Sequence, residues 1–593
     1  MDNLVRTNLE NLNRLPTSVQ SVKSGKNPYI KKTPSLQEIK SLHNPVNNYQ
    51  GQPVMMIILD GWGYRDNFEA NAIADAKTPV MNSLISKHPH TLLNTKGIYI
   101  GDPSNVRNGN SEDGHVSIGS GRAMPNLSAR ISNEIRDRIF FKNSELNNAV
   151  DHVTKLKNQG IDSKFNLMGL VSTNSSHAKL SHLYALIKLA KQKGLADEDI
   201  KLNLILDGRD DPPVMAPRLI KLIQNRFPNI EITSLTGRDL AMDRKNNHEK
   251  TNTFFDALTK SSPYQANSTQ EALEKYFDNN STEELMPAYI TSKTKRPAIS
   301  KNDALVFFNT RADRAKQTAR KFIKMEKENS NFHFTALGDY DLGNTAYNIA
   351  YKKQPVIGGL MQVLDNLGLP VKKIAESEKA AHVGYFFNGA TNREFAHESR
   401  QIIDSLNTND YSKTPEMKSV ELADAAIDTL QANKHPFTVI NFAAPDMIGH
   451  TGNMKATKEA IEIVDKELGR IVTQAKKSGA KLVITADHGN AEHMRNEKNQ
   501  ILTGHSKSPV PFIVADYSKA SSKKPLSLRF NNDNNSLGLS NIAATVLELM
   551  NLKVPEYMDK SLISKSKQAP IVKWGQKMFN EMRKYTDQPI KNR

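Results

Sequence analysis

The chain has no cysteine among its 593 residues. Disulfides, iron–sulfur clusters and thiolate zinc sites are therefore excluded, and any metal ion has to be held by oxygen and nitrogen ligands. Long apolar runs are missing as well. No stretch approaches the roughly 18 residues of a membrane span, and the amino end lacks the compact apolar core of a secretory signal. No internal repeat is visible. What remains reads as a soluble globular chain, too long for one core, so two or more domains and a cytoplasmic location are expected.

Positive charge is in excess, with a net of +17, and its placement decides what it means. Residues 1–50 carry seven Lys/Arg against three Asp/Glu, and residues 564–593 carry eight against two. The two ends thus hold more than half of the excess. Residues 1–50, rich in Asn, Ser and Lys and punctuated by Pro16, Pro28, Pro34 and Pro45, read as a flexible basic extension. In 564–593, Ile571, Trp574, Met578, Met582 and Tyr585 recur at helical spacing among lysines, an amphipathic tail expected to dock on the chain's own surface. Solvated appendages are preferred to a polyanion-binding surface, so no nucleic-acid partner is expected.

Between the ends, strand-like apolar runs alternate with helix-length segments: Val54–Leu59 with Thr78–His88, Phe165–Leu170 with His182–Lys193, and Leu202–Leu206 with Val214–Asn225. Ala304–Phe308 with Ala312–Lys324, Thr438–Phe442 with Lys455–Lys477, and Leu482–Thr485 continue the pattern. That alternation predicts α/β domains with mainly parallel sheets, whose ligands collect at the carboxyl ends of strands.

Acid and histidine residues fall at those ends. Val54–Leu59 runs into Asp60-Gly61-Trp62-Gly63, and Leu482–Thr485 runs into Ala486-Asp487-His488-Gly489-Asn490. Asp446 and His450 are four apart, which places them on one face if the segment is helical. His505 stands in Thr503-Gly504-His505-Ser506. Together these residues predict a divalent metal site. Gly109-Asn110-Ser111-Glu112-Asp113-Gly114-His115 adds a serine in a turn-rich setting, expected at a helix amino end where backbone N–H groups favour anions. A free serine is a poor nucleophile, and a neighbouring dication would make its oxygen available near neutral pH.

Between about 126 and 354, basic residues follow strand-like runs: Asp207-Gly208-Arg209-Asp210, Thr236-Gly237-Arg238, Met242-Asp243-Arg244 and Asn309-Thr310-Arg311-Ala312-Asp313-Arg314. Guanidinium forks bind carboxylate and phosphate with paired hydrogen bonds, so five converging arginines suit a small-molecule substrate bearing both groups. Lys379, in Ala375-Glu376-Ser377-Glu378-Lys379, would add positive charge beside the metals.

These runs, with Phe307-Phe308-Asn309 and Pro445-Asp446-Met447-Ile448-Gly449-His450, resemble in order the cofactor-independent (2,3-bisphosphoglycerate-independent) phosphoglycerate mutases over about residues 51–563. The resemblance implies an alkaline-phosphatase-like, mostly parallel sheet domain (51–125 and 355–563) with an inserted α/β substrate-binding domain (126–354), and hinges at the crossings near 126 and 354. It implies a two-metal site. Asp446, His450 and His505 would hold one ion, and Asp60, Ser111, Asp487 and His488 the other. Manganese is the expected metal, with magnesium, cobalt or zinc permitted by the ligand set, and 2,3-bisphosphoglycerate is not required. His177, Arg209, Asp210, Arg238, Arg244, Arg311 and Arg314 would bind substrate, with Lys379 added from the metal-binding domain. Ser111, Asp210 and Lys379 would be catalytic, a phosphoserine would be the intermediate, and a monomer is expected.

The sequence departs from the family pattern in places. The loop usually reading Ser-Asp-Gly-Gly-Val-His-Ser-His is Ser172-Thr173-Asn174-Ser175-Ser176-His177-Ala178-Lys179 here. Asp239-Leu240 replaces a Tyr-Tyr pair, Ala444 an Asn and Asp113 an apolar residue. The alternatives are a metal-dependent phosphatase or phosphopentomutase of the same superfamily, and a degenerate mutase serving as a basic scaffold.

Overall fold

The computed structural model describes residues 49–564 and Pro34, apart from 68, 102–107, 174, 176, 244–246, 280–281, 292–295, 355, 409, 520–525 and 531–536. Apart from Pro34, Tyr49, Gln50 and Ser564, the basic extension and the amphipathic tail expected at the two ends lie outside the described residues, as does Arg244. In chain order the strands are β1 (Val54–Leu59), β2 (His90–Leu93), β3 (Phe165–Val171), β4 (Ile200–Leu206), β5 (Glu231–Gly237), β6 (Tyr289–Ile290) and β7 (Ala304–Phe307). They continue as β8 (His333–Gly338), β9 (Asn348–Tyr351), β10 (Val371–Glu376), β11 (Glu398–Ile403), β12 (Phe437–Phe442), β13 (Lys481–Thr485) and β14 (Val510–Asp516). The chain divides into two compact units, one formed by residues 127–353 and the other by the described residues on either side.

The discontinuous unit contains a seven-stranded sheet ordered β11-β10-β12-β1-β13-β14-β2. Its first five strands pair in parallel, and β14 is antiparallel to both β13 and β2. Strand β1, Val-Met-Met-Ile-Ile-Leu, is buried along its whole length. An unbroken apolar run is what a strand covered on both faces requires. The second unit repeats the architecture with the order β6-β5-β4-β3-β7-β8-β9, parallel except for the short edge strand β6. Each unit encloses its own apolar core. The α/β class with mainly parallel sheets is therefore as the alternating pattern predicted.

Two sequence expectations need correction. Met242-Asp243 follows the short helix Arg238–Ala241, not a strand, because the chain turns helical directly after β5. The helix expected over Ala312–Lys324 starts later and runs Lys316–Glu328, since residues 312–315 form a turn beyond β7.

The long helix Met454–Ser478 also braces its neighbour. The helix Pro79–Lys87 has no side-chain cap at Thr78, and its exposed amino end is closed by Asp465 instead. The buried Asp465 carboxylate accepts from Val80 N at 2.9 Å and Met81 N at 2.8 Å. Removing it leaves two N–H groups without a protein partner, which costs about 1–3 kcal/mol. Asp465→Ala should therefore lower the protection of the amides of residues 80–87 in hydrogen–deuterium exchange before the sheets are affected. Unchanged protection there would show that the cap contributes nothing.

Candidate metal centre

Strand order brings distant residues together. Strands β10, β12, β1 and β13 are parallel neighbours, so their carboxyl ends share one edge of the sheet. Lys379 follows β10, Asp446 lies in the short helix Ala444–Gly449 after β12, Asp60 follows β1, and Asp487-His488 follows β13. Register finishes the alignment, with Ile58 opposite both Asn441 and Thr485. Ser111 opens the helix Ser111–Ser120, whose amino cap Asn110 accepts from Asp113 N at 2.8 Å.

The backbone must approach closely for this. Gly61 has φ of 75°, and a Cβ there would sit 2.9 Å from Asp446 Cα. A Cβ on Gly114 would lie 2.6 Å from the Asp487 carbonyl oxygen. Any side chain at either position would push the acids apart.

Two groups of ligand atoms result, Asp446 with His450 and His505, and Asp60 with Asp487 and His488. In the first, His450 Nδ1 donates to the Thr503 carbonyl at 2.6 Å and His505 Nδ1 to the Gly109 carbonyl at 3.1 Å. Both Nε2 atoms therefore turn their lone-pair positions inward, 3.1 Å from each other and 3.3 and 3.5 Å from Asp446 Oδ1. Such an arrangement calls for a cation, or failing that a proton. Burial alone would lower the pKa of His450, but the Asp446 hydrogen bond and charge outweigh it and raise it. Burial, then His488, pushes His505 down to about 3. In the second group, His488 Nε2 lies 2.8 Å from Ser111 Oγ and 3.4 Å from both Asp60 Oδ1 and Asp487 Oδ2.

One ammonium bridges the two groups. Lys379 Nζ donates to Asp60 Oδ1 at 2.8 Å, to Asp446 Oδ2 at 2.8 Å and to Ser111 Oγ at 2.9 Å. Burial would lower its pKa, but Asp446, Asp60 and Asp487 raise it well above the usual lysine range. Asp60 is pushed up to about 6 by burial and then by Asp487, with Lys379 opposing. Asp446 and Asp487 are held low despite burial, Asp446 mainly by Lys379 and Asp487 mainly by His488 and His115. The three acids thus respond in opposite senses to one shortage. Among the described residues, three buried carboxylates face a single ammonium. Two uncompensated negative charges out of water are costly. Oxygen and imidazole donors, lone pairs aimed inward and missing positive charge all fit divalent cations.

Asn490 and Glu492 are supporting residues that spacing did not reveal. Asn490 Nδ2 donates to Asp446 Oδ1 at 2.8 Å, and buried Glu492 accepts from Asn490 N at 2.9 Å and from Ser506 Oγ, next to His505. Asn490 lies within the run that drew attention to Asp487-His488. Nothing in that run distinguished a brace from a turn residue.

In the other unit, β5, β4, β3 and β7 are also parallel neighbours, and Arg238, Arg209-Asp210, His177 and Arg311 follow them in that order. Arg238 is buried and donates to Asp207 Oδ1 at 2.5 Å and Asp210 Oδ2 at 2.9 Å. Ser175 Oγ donates to the same Asp210 oxygen at 2.7 Å. Burial would raise the pKa of Asp210, but Ser175 and Arg238 lower it on balance. His177 is buried, and burial followed by Arg311 pushes it down to about 4. Arg209 and Arg311 are about half exposed, 3.6 Å from Glu284 and 3.4 Å from Asp313. Arg314 donates to the Met242 carbonyl at 3.3 Å. His177 and Arg238 are therefore buried, while Asp210, Arg209 and Arg311 are exposed.

A model of the metalloenzyme superfamily matches residues 52–554. The 2,3-bisphosphoglycerate-independent phosphoglycerate mutase of Clostridioides difficile is 36% identical over 526 residues, spanning 87% of this chain and 99% of that protein. That of Antithamnion sp. is 36% identical over 532 residues, spanning 88% and 100%. The fold matches the crystal structure of Leishmania mexicana phosphoglycerate mutase at low cobalt concentration, with a TM-score of 0.65, 24% identity and coverage of 88% and 99%. No helix among the described residues is long and apolar enough to cross a membrane.

Because dications would relieve the charge shortage, chelator-stripped protein should melt at lower temperature and regain stability on adding manganese. A free ion at a hundred times its dissociation constant contributes about 2.7 kcal/mol. His505→Ala should bind one ion fewer than the unaltered protein by elemental analysis. A melting curve indifferent to both chelator and metal would count against the site.

Proposed function

The chain belongs to the 2,3-bisphosphoglycerate-independent phosphoglycerate mutases, and on that footing we propose that it interconverts 3-phosphoglycerate and 2-phosphoglycerate through a phosphoserine on Ser111. One observation supports this reading above the others. Ser111 Oγ, at a helix amino end, is hydrogen-bonded to both Lys379 and His488, beside a pocket of acids short of positive charge.

Asp446, His450 and His505 would hold one ion, and Asp60, Ser111, Asp487 and His488 the other, with manganese the metal that suits the donors and family. When bound, the dications supply Lewis-acid charge, which eases loss of the Ser111 proton and stabilises charge gathering on the phosphoryl oxygens. Ser111 Oγ forms the bond to phosphorus while the ester bond to the glycerate oxygen breaks. The Lys379 ammonium, already in contact with Oγ, faces the charge that develops there. The N–H groups at the start of Ser111–Ser120 favour the same anion.

Arg238, Arg209, Arg311, Arg314 and Arg244 hold the phosphoglycerate's anionic groups, and His177, kept neutral by its setting, offers hydrogen bonds to its oxygens. Asp210, ionised and oriented by Ser175 and Arg238, takes and returns protons at the glycerate hydroxyls. The released glycerate then accepts the phosphoryl group on its other hydroxyl. Water has to be kept from the phosphoserine throughout, since hydrolysis would turn the mutase into a phosphatase.

An assay coupled through enolase, started from 3-phosphoglycerate, should show turnover with manganese and none after EDTA, with no need for 2,3-bisphosphoglycerate. Ser111→Ala should lower turnover at least about a thousandfold while the protein stays folded. Normal turnover by Ser111→Ala would sink the nucleophile assignment, and a strict requirement for the bisphosphate would reject the reaction scheme.

A further inference from the structure

Beneath the second ligand group lie two residues that belong to neither group, His115 and Asn441. Both are fully buried, so water cannot replace them. His115 sits one turn into the helix that Ser111 opens, and Asn441 lies on β12 opposite Ile58, two residues before Asp60. Their hydrogen bonds run in a definite direction. His115 Nδ1 is 2.8 Å from the Ser111 carbonyl oxygen and 3.3 Å from Asp487 Oδ2. Both are acceptors, so Nδ1 carries the proton. On the other edge of the ring, Nε2 is 3.1 Å from Asn441 Nδ2, which also donates to Asp60 Oδ2 at 2.8 Å. A carboxylate oxygen can only accept from that amide, which settles the amide's orientation. Its second hydrogen points at Nε2, which must offer a lone pair.

We propose that His115, as the neutral Nδ1–H tautomer, and Asn441 form a buried relay that positions Asp60, Asp487 and the Ser111 backbone as one unit. The relay takes one oxygen of Asp60, Oδ2, and leaves Oδ1 toward Ser111, Lys379 and His488. On Asp487, Oδ1 is occupied by His488 N at 3.1 Å and Gly61 N at 3.4 Å, while Oδ2 lies between His115 and His488. Each acid is thus turned so that one oxygen serves the fold and the other faces the cation seat. Through the Ser111 carbonyl, the same ring ties the first turn of the nucleophile's helix to those acids. His115 and Asn441 are positioning residues, because neither contributes an atom to the ligand groups. Partners of this sort change metal affinity by about 10–100-fold when removed.

The inference rests on the two-ion reading of the site, and the test separates the two. Manganese binding is titrated calorimetrically and counted by elemental analysis in the unaltered protein, in His115→Asn, which keeps a donor near Nδ1 but offers Asn441 no ring acceptor, and in Asn441→Ser. Melting of the metal-free proteins reports folding independently. The expected result is two ions for the unaltered protein, and in each variant one ion at native affinity with the other weakened about 10–100-fold. Combining the substitutions should weaken it no further, as expected of groups that act as one chain. Fewer than two ions in the unaltered protein would overturn the two-ion reading and the relay with it. Two ions at native affinity in either folded variant, or equal weakening of both, would overturn the relay alone. If one variant fails to fold, the other still decides.

Discussion

Three carboxylates held out of water around a single lysine ammonium are the constraint on which the discontinuous unit is built. Asp60, Asp446 and Asp487 would repel one another if each approached alone, and burial makes that repulsion expensive. They are kept close by rigid attachment. Asp60 and Asp487 follow their strands directly and Asp446 lies in the short helix just beyond its strand, and β12, β1 and β13 are hydrogen-bonded side by side. Lys379 relieves part of the imbalance, and the inward lone pairs of His450 and His505 mark where further positive charge belongs. Close packing at Gly61 and Gly114 allows the approach, and the braces from Asn490, Glu492, His115 and Asn441 hold it. Once filled by dications, a pocket of this kind would suit a phosphoryl group.

The second unit uses the same topological device for a different purpose. Neighbouring parallel strands again bring residues distant in sequence to one sheet edge, but the residues are arginines, a histidine and an aspartate. Arg209 and Arg311 keep about half of their side chains exposed there. Arg238 is the exception, since its buried guanidinium is already committed to Asp207 and Asp210. That commitment makes Arg238 an organiser of Asp210. Arg209 and Arg311 are more exposed, 3.6 Å from Glu284 and 3.4 Å from Asp313.

The altered loop before His177 shows how a departure in sequence can be absorbed. Thr173 N and Oγ1 donate to Asp211 at 2.7 and 2.6 Å, and Ser175 bonds Asp210 while accepting from His177 N at 3.1 Å. Hydroxyls thereby tie the loop to the adjoining Asp210-Asp211 turn. Reading residues one by one marked this loop as anomalous, because it compared letters and could not see which acids the new hydroxyls would meet.

Much of the site was legible along the chain. Unbroken apolar runs ending in Asp or Asp-His are local patterns, and a buried parallel strand has to look like that. The absence of cysteine confined metal ligands to oxygen and nitrogen, and the order of motifs identified the family. Asp446 and His450 needed only helical spacing. His115, Asn441 and Asn490 could not be read in this way, since a buried imidazole or amide matters through partners tens to hundreds of residues away. Which acids share the lysine, which histidine nitrogen faces inward and how each carboxylate is turned follow from strand order and register. These are long-range pairings, and no local preference of the chain encodes them.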